Sequence, residues 1–473
     1  MDTLPLPAET DLAATLARLR AAQRAHIHDY RERIDLLERL GEAVRRCKDE
    51  LVAAASADYG RRAGFETLAG DVMVVLDEIK HARKHLRGWM KPRRAPVNFA
   101  ALPARGQLRY VPLGVIGIMV PWNYPFMLAF APLVNAIAAG NRAYIKPSEF
   151  SPRTSALVER VANEVFSSDQ VAVAQGDAAV GAAFAALPFD HLIFTGSTAV
   201  GKRVMAAAAA NLTPVTLELG GKSPALIAPG FSVERAAERI AFGKCFNAGQ
   251  SCVAPDYVLV PRAQRDAFAD AYLASMQRRY PTLADNPDYT AIVDARQAAR
   301  LRDWLEDARQ RGTQVRQYLP AGETIPAGLE LIPPTLLLDP PDEAIVMQQE
   351  IFGPLLSLKS YDNYEDALGY VLDRDKPLAF YTFDDDSARV EATLERVCAG
   401  MVCVNDSLIQ FGQTGFPVGG VGPSGMGHYH GHAGFLTFSK AMPVLYQSRW
   451  NGMKLLDPPY TGLGKRMMDW LTR

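Results

Sequence analysis

The most constraining feature of this 473-residue sequence is a regular alternation of short apolar runs and longer segments between Leu113 and Leu219. The short runs predict strands, and the longer segments, with apolar residues at helical spacing, predict helices. Strands separated by helices are typical of a doubly wound parallel α/β sheet, which binds ligands beyond the carboxyl ends of its strands. The predicted strands are 114–120, 143–146, 171–174, 191–194 and 215–219, and the predicted helices are 125–139, 154–166, 178–187 and 198–210.

The segments on either side of this alternation differ in character. Apolar stripes predict helices over 11–59 and from 68 to about 89, whereas the Pro- and Arg-rich segment 92–112 indicates a connector or hairpin. Beyond residue 252 the alternation of helices and short strands resumes to about residue 425, which predicts a second α/β unit.

Two side chains 34 positions apart suggest nucleophilic chemistry. Glu218 alternates with Val215, Leu217 and Leu219, so a strand would turn it away from the apolar row. Cys252 follows a predicted helix that we expect to stop at Gly249, which places the thiol on a loop. A buried, inert thiol is the more common fate of a free cysteine and is the interpretation for Cys47, Cys245, Cys398 and Cys403. A nearby carboxylate makes a reactive thiol the better interpretation of Cys252.

Both segments resemble motifs of the aldehyde dehydrogenase superfamily, namely Glu218-Leu-Gly-Gly-Lys222 and Gly249-Gln-Ser-Cys252. Five further matches are 121–125 (PWNYP), 146–149 (KPSE), 194–197 (FTGS), 350–354 (EIFGP) and 419–422 (GGVG). Segments 89–94 and 424–431 are most similar to the class-3-like branch, especially its bacterial coniferyl aldehyde dehydrogenases. One departure is Val418, where relatives commonly have Phe, and the smaller side chain suggests a reshaped pocket.

The resemblance implies an aldehyde dehydrogenase-like α/β fold with three parts. These are a Rossmann-type NAD-binding domain (1–96 and 113–219), an α/β catalytic domain (220–425) and a small β oligomerisation or bridging element (97–112 and 426–448). A C-terminal tail, 449–473, follows and contains a candidate amphipathic helix at 465–471. In the resembled family the bridging hairpin adds strands to a partner subunit, so a homodimer is expected.

The implied reaction is NAD(P)-dependent oxidation of an aldehyde to its acid, with Cys252 as nucleophile, Glu218 as general base and Asn123 as oxyanion donor. The aldehyde is aromatic, such as coniferyl aldehyde, or medium-chain aliphatic, and Tyr124, Phe411 and His430 are the candidate substrate contacts. NAD is favoured over NADP because a carboxylate at position 149 would repel a 2′-phosphate. The implied cofactor contacts are Met119, Val120, Pro121, Trp122, Lys146, Glu149, Gly196, Ser197, Leu219, Gly220, Glu350 and Phe352.

Two alternatives stay open. A coenzyme-A-acylating relative would pass the acyl group to a thiol, although such enzymes typically lack the glutamate found at position 218. A non-catalytic binding or structural relative would keep only the fold, which retention of Cys252, Glu218 and Asn123 argues against. Segment 196–201 alone is weak evidence for a dinucleotide site, because its glycines are five apart.

Composition excludes several other classes. With 51 basic and 52 acidic residues the charge gives no reason to expect a nucleic-acid partner. No apolar run is long enough to span a bilayer, and residues 1–10 do not resemble a signal peptide, so a cytoplasmic protein is expected. Five irregularly spaced cysteines suggest reduced thiols. The three histidines of 428–432 lack further ligands nearby, so no metal site is expected.

Overall fold

The computed structural model describes residues 9–460 and 462–473. Its α-helices are α1 (Glu9–Ala25), α2 (Tyr30–Asp58), α3 (Gly64–Thr67), α4 (Val74–Trp89), α5 (Pro125–Ala139), α6 (Pro152–Val165), α7 (Ala178–Ala185), α8 (Thr198–Ala209), α9 (Val233–Cys245), α10 (Arg265–Arg279), α11 (Ala295–Gln310), α12 (Ile345–Gln348), α13 (Tyr364–Leu372), α14 (Ser387–Leu394), α15 (Gly431–Thr437) and α16 (Gly462–Leu471).

Its strands are β1 (Arg93–Ala95), β2 (Arg105–Pro112), β3 (Val115–Met119), β4 (Arg142–Lys146), β5 (Val171–Val173), β6 (His191–Gly196), β7 (Val215–Leu219), β8 (Pro224–Ile227), β9 (Tyr257–Pro261), β10 (Gln314–Gln317), β11 (Thr335–Leu338), β12 (Leu355–Tyr361), β13 (Ala379–Phe383), β14 (Met401–Val404), β15 (Gly425–Met426) and β16 (Ser439–Tyr446). A π-helical turn, Leu68–Met73, joins α3 to α4.

The predicted alternation forms a six-stranded sheet in the order β15-β7-β6-β3-β4-β5. The five predicted strands are mutually parallel, and β15 is antiparallel to β7 at the edge. Apolar side chains of α2, α4, α5 and α6 cover one face, and those of α1, α7 and α8 cover the other. The doubly wound prediction is therefore confirmed.

A second, seven-stranded sheet follows in the order β10-β11-β12-β9-β8-β13-β14, with only β10 antiparallel to its neighbour. The chain passes from the first sheet to the second between β7 and β8, so Gly220 and Gly221 lie at the junction. The catalytic motifs are consequently divided between the end of one sheet and the start of the other.

A third, antiparallel sheet has the order β1-β2-β16. The sequence placed residues 93–95 in the first domain and residue 426 in the bridging element. The structure differs at both places, because β1 pairs with β2 and the 425–426 strand pairs with β7 of the six-stranded sheet. Residues 1–8 of the expected first domain lie outside the described residues, and the division into domains remains a proposal.

Two helix ends differ from the predictions. The helical region 11–59 breaks after α1, and α2 starts at a capping box in which Asp29 and Glu32 each accept the other's backbone N–H. Helix α9 ends at Cys245 and not at Gly249, because Asn247 and Ala248 turn the backbone to φ of 53° and 50°. The helix therefore stops one turn earlier and leaves a tight turn before the cysteine.

Candidate active site

Cys252 lies on a loop between that turn and β9, and the Gln250 side chain holds the loop in place. The Gln250 amide donates to the Asn247 and Ala291 carbonyls at 3.0 Å each and accepts the Val293 N–H at 3.0 Å. Gly249 is required before it, because a Cβ there would lie 2.3 Å from the Gly353 carbonyl oxygen. The Gly-Gln-x-Cys spacing thus has a structural cause, which is to fix the loop that carries the thiol.

Asn123 reaches the same loop from the carboxyl end of β3. Its side-chain Nδ2 donates to the Gln250 carbonyl at 3.3 Å, and the Tyr59 hydroxyl donates to the Asn123 carbonyl at 3.1 Å. Asn123 is buried, and both it and Cys252 line one cavity. The amide and the thiol predicted to act together are therefore brought together.

Glu218 is buried on β7, on the face opposite Leu217 and Leu219 as the alternation predicted. Burial raises its pKa well above the usual range for a carboxyl group, and its Oε1 has no hydrogen-bond partner among the described residues. Burial, followed by the fields of Glu350 and Glu218, raises the pKa of Cys252. The thiol is therefore neutral at pH 7 and needs a base to become a nucleophile.

The cavity in front of Cys252 has a volume of about 410 Å³ and is mostly apolar. Tyr124 and Phe411, two of the three predicted substrate contacts, line it. So do side chains that the sequence did not single out, from the turn and start of α4 (Ala69, Met73, Val74, Asp77), from α5 (Met127, Leu128) and from the end of α9 (Phe242, Phe246). Four aromatic side chains, Tyr124, Phe242, Phe246 and Phe411, thus line the same cavity as Cys252.

His430 and Val418 do not line this cavity. The His430 side chain is fully buried, with its ring edge-on to Phe411 at 5.4 Å between centroids, so it lies behind the cavity wall. The structure therefore does not bring His430 to the cavity surface, and its contact with substrate stays a prediction. Val418 is buried too, where it pairs through its backbone with Tyr429. It belongs to the apolar core.

The predicted cofactor contacts of the first sheet lie at the carboxyl ends of its strands. Lys146 ends β4, with its Nζ 3.0 Å from the Glu149 carboxylate and 2.7 Å from the Gly176 carbonyl. Ser197 precedes α8, and its side chain forms no capping hydrogen bond. The first-turn N–H groups of α8 are therefore not bonded to a capping side chain. The others at this edge are Met119, Val120, Pro121, Trp122, Gly196, Leu219 and Gly220.

Glu350 and Phe352 approach this edge from the second sheet. A Cβ on Gly220 would lie 2.0 Å from Glu350 Oε2, so the glycine makes room for the carboxylate. Burial, and then Asp256, raises the pKa of Glu350 to about 8. Phe352 has a φ of 48°, and its ring lies edge-on to Trp122 at 5.4 Å. Glu350 and Phe352, although distant in sequence from the first sheet, thus lie beside the strand ends predicted to bind the cofactor.

Residues 3–444 match the family model described as the aldehyde dehydrogenase family. The chain belongs to the aldehyde dehydrogenase family. It is 49% identical to a probable coniferyl aldehyde dehydrogenase of Pseudomonas aeruginosa, covering 95% of this chain and 94% of the relative. It is 44% identical to the coniferyl aldehyde dehydrogenase of a Pseudomonas species, covering 94% and 92%. The structure of substrate-bound Staphylococcus aureus AldH aligns with a TM-score of 0.91 at 34% identity, covering 97% and 99%.

This aldehyde dehydrogenase is thus an enzyme that oxidises aldehydes, with the predicted α/β fold. In the described part of the chain no three His, Cys, Asp or Glu side chains are grouped to hold a metal ion, and no helix is long and apolar enough to cross a membrane. All five cysteines are unpaired thiols; Cys47 and Cys245 are buried as predicted, whereas Cys398 is exposed and Cys403 is partly exposed.

Proposed function

We propose that this aldehyde dehydrogenase oxidises arylpropenals, of which coniferyl aldehyde is the type, to the free acids with NAD. The single observation that carries the proposal is the aromatic-lined cavity that opens on Cys252 and Asn123. Tyr124, Phe242, Phe246 and Phe411 offer ring faces and edges to a planar conjugated substrate. The named activities of the Pseudomonas relatives support the same substrate class.

The first proposed step is addition of the Cys252 thiolate to the aldehyde carbon, which gives a tetrahedral thiohemiacetal. Glu218 takes the thiol proton, because the raised pKa of Cys252 leaves almost no thiolate without a base. The developing oxyanion accepts hydrogen bonds from Asn123 Nδ2 and from the Cys252 N–H. Loss of one such donor typically lowers turnover by about 10²–10³.

The residues present fit NAD. The first-turn N–H groups of α8 suit the pyrophosphate, Glu149 suits a ribose hydroxyl, and Glu350 and Phe352 are placed to hold the second ribose. When bound, NAD supplies the hydride acceptor at the carbon held by Cys252. The Glu149 carboxylate would repel a 2′-phosphate, whereas its ion pair with Lys146 offsets part of that repulsion. NAD is therefore the preferred cofactor and NADP a weaker alternative.

The last proposed step is hydrolysis of the thioester on Cys252. Once Glu218 has released the thiol proton to solvent, it removes a proton from a water molecule, the water oxygen attacks the acyl carbon, and the cysteine sulfur leaves as a thiolate while the acid is released. Because burial raises the pKa of Glu218, the carboxyl needs a hydrogen-bond donor to stay ionised as a base near neutral pH. We also propose that the enzyme acts as a homodimer, and that a reducing cytoplasm is its location, in keeping with its unpaired thiols.

The test is NADH formation by the purified protein with coniferyl aldehyde, benzaldehyde and hexanal, using NAD or NADP, with and without coenzyme A. Wild type should form NADH with NAD and without coenzyme A, and so should the control Cys47→Ala, which removes a buried thiol on α2. Coniferyl aldehyde should have the highest kcat/KM. Cys252→Ala should form no NADH. NADH that requires coenzyme A would replace hydrolysis with acyl transfer, and no NADH from any aldehyde would reject the proposal.

A further inference from the structure

Glu218 and three other buried side chains share an unusual property, which is that each has at least one polar atom without a hydrogen-bond partner. Among the described residues, five atoms of this kind lie in one region: Glu218 Oε1, Tyr429 Oη, His430 Nδ1, His430 Nε2 and Glu78 Oε1. Each of these side chains is buried. A buried polar atom without a partner destabilises the fold, so a concentration of them beside a reactive group indicates a functional demand.

The backbone connects this group to the general base. Gly425 in β15 lies opposite Glu218 in β7, and the chain continues from β15 to Tyr429. Tyr429 is then fixed by two backbone hydrogen bonds with Val418, at 2.8 and 2.9 Å. After burial, the charges that raise the pKa of the Tyr429 hydroxyl are those of Glu218 on β7, Cys252 on the loop before β9 and Glu78 on α4. Tyr429 therefore shares its buried region with the proposed base and with a second carboxyl group.

His430 and Glu78 support Tyr429 from behind. The Tyr429 and His430 rings meet edge to face, with centroids 4.5 Å apart, and His430 Nδ1 lies 3.4 Å from Glu78 Oε1 without forming a hydrogen bond. Glu78 Oε2 accepts the Gly431 N–H at 3.2 Å. His430 holds a φ of 75°, a conformation that non-glycine residues seldom adopt and that recurs at functional sites.

The charge states of these groups allow a chain of hydrogen bonds that points toward Glu218. Burial lowers the pKa of His430 to about 3, so its ring is neutral, with one donor and one acceptor nitrogen. Burial raises the pKa of Glu78 to about 8. Hydrogen bonds from the Gly431 N–H and the Asn135 side chain lower that pKa, and the charge of Asp77 raises it further. Glu78 at pH 7 is thus mostly a neutral acid that can donate.

We propose that Tyr429 is a positioning residue whose hydroxyl donates a hydrogen bond to the Glu218 carboxylate during thioester hydrolysis, with His430 and Glu78 orienting that donor, directly or through ordered water. A donor to a carboxylate stabilises the ionised form and therefore lowers its pKa. Burial alone would leave Glu218 protonated and inactive as a base. Tyr429 offsets that effect and keeps the base ionised near neutral pH. This role rests on the proposed function of Glu218.

The test compares Tyr429→Phe with Tyr361→Phe, a matched removal of a buried hydroxyl that donates to the Ile227 carbonyl at 2.6 Å. Besides aldehyde oxidation, hydrolysis of 4-nitrophenyl acetate is followed, because an activated ester can acylate Cys252 without NAD or aldehyde. The first burst of nitrophenol reports acylation, and the steady rate reports deacylation assisted by Glu218.

We expect Tyr429→Phe to lower kcat and the steady ester rate by about tenfold to hundredfold, with the burst and KM retained. The acid limb of the kcat–pH profile should move to higher pH, since Glu218 loses a donor. The melting temperature should stay level or rise, because an unpartnered hydroxyl has been removed. Tyr361→Phe should do the reverse, with a lower melting temperature and unchanged kcat.

An unchanged kcat and pH profile in Tyr429→Phe would overturn the inference. Loss of the nitrophenol burst together with a lower melting temperature would also overturn it. His430→Asn, whose new residue tolerates positive φ, should shift the acid limb in the same direction and serves if Tyr429→Phe does not fold. If the ester burst and steady rate behave as expected but no aldehyde is oxidised, the proposed substrate is rejected and this inference stands.

Discussion

The proposed mechanism uses Glu218 twice, to deprotonate Cys252 and then to activate water, and one substitution tests both uses. Glu218→Gln keeps the volume of the side chain and removes the base. We expect steady turnover to fall by about 10²–10⁴ and the first turnover of NADH to slow as well, because both the thiol and the water lose their base. Stopped-flow absorbance measures both. A variant that hydrolyses at the wild-type rate would assign the base elsewhere.

Gly220 is the residue whose substitution reports most directly on cofactor binding. A Cβ there would lie 2.0 Å from the Glu350 carboxylate, so Gly220→Ala must displace Glu350. We expect the KM for NAD to rise about tenfold, the equivalent of about 1.4 kcal/mol, with a smaller change in the KM for aldehyde. Gly369→Ala is the control, because a Cβ at that position in α13 meets nothing within 4 Å. Equal KM values for NAD in both variants would contradict the proposed role of Glu350.

Single residues also show where sequence reasoning succeeds. Glu218, Cys252 and Asn123 each lie in a short motif whose local structure, a strand end or a tight turn, can be predicted from neighbouring residues. Gly249 and Gln250 are needed for the same local reason, since they shape the loop before the thiol. His430 could not be placed correctly, because its burial depends on α4 and on Phe411, which are distant in sequence.

At the level of elements, the cavity wall depends on how the π-helical turn Leu68–Met73 is attached to α5. Asp71 in the turn pairs with Arg62 at 3.0 Å, both side chains being fully buried, and accepts the Met127 N–H at 3.0 Å. Asp71→Ala would leave Arg62 charged and unpaired in the interior. We expect it to lower the free energy of unfolding by about 3–5 kcal/mol in urea titration and to raise the KM for aldehyde.

The double variant Arg62→Met/Asp71→Ala distinguishes charge from packing. Removing both partners eliminates the unpaired charge, so a good part of the lost stability should return. Equal instability of the single and double variants would show that the Met127 contact, and not the ion pair, holds the turn. The sequence predicted a helix from 68 to about 89 but not its place in the cavity wall, because periodicity identifies an apolar face without identifying what lies opposite it.

For the whole molecule, a parallel sheet with helices on both faces followed from the alternation of apolar runs, since parallel strands joined by helices have few arrangements. The antiparallel return of Gly425 and Met426 to the first sheet did not follow. That pairing joins residues about 200 positions apart and leaves no local pattern. It is also the contact that brings Tyr429 toward Glu218, so the least predictable pairing of the fold is the one that completes the proposed site.

The three-stranded sheet makes the proposed homodimer testable. β16 is its edge strand, eight residues long, and Met442, Leu445 and Tyr446 on it expose 38%, 57% and 41% of their surface. A long apolar edge invites pairing with another chain, so a partner subunit should cover it. Leu445→Glu should place a charge in that contact and shift the mass in light scattering from dimer toward monomer. The control Leu372→Glu, which changes an exposed leucine at the end of α13, should remain dimeric. A wild-type protein that is monomeric at all concentrations would contradict the proposed dimer.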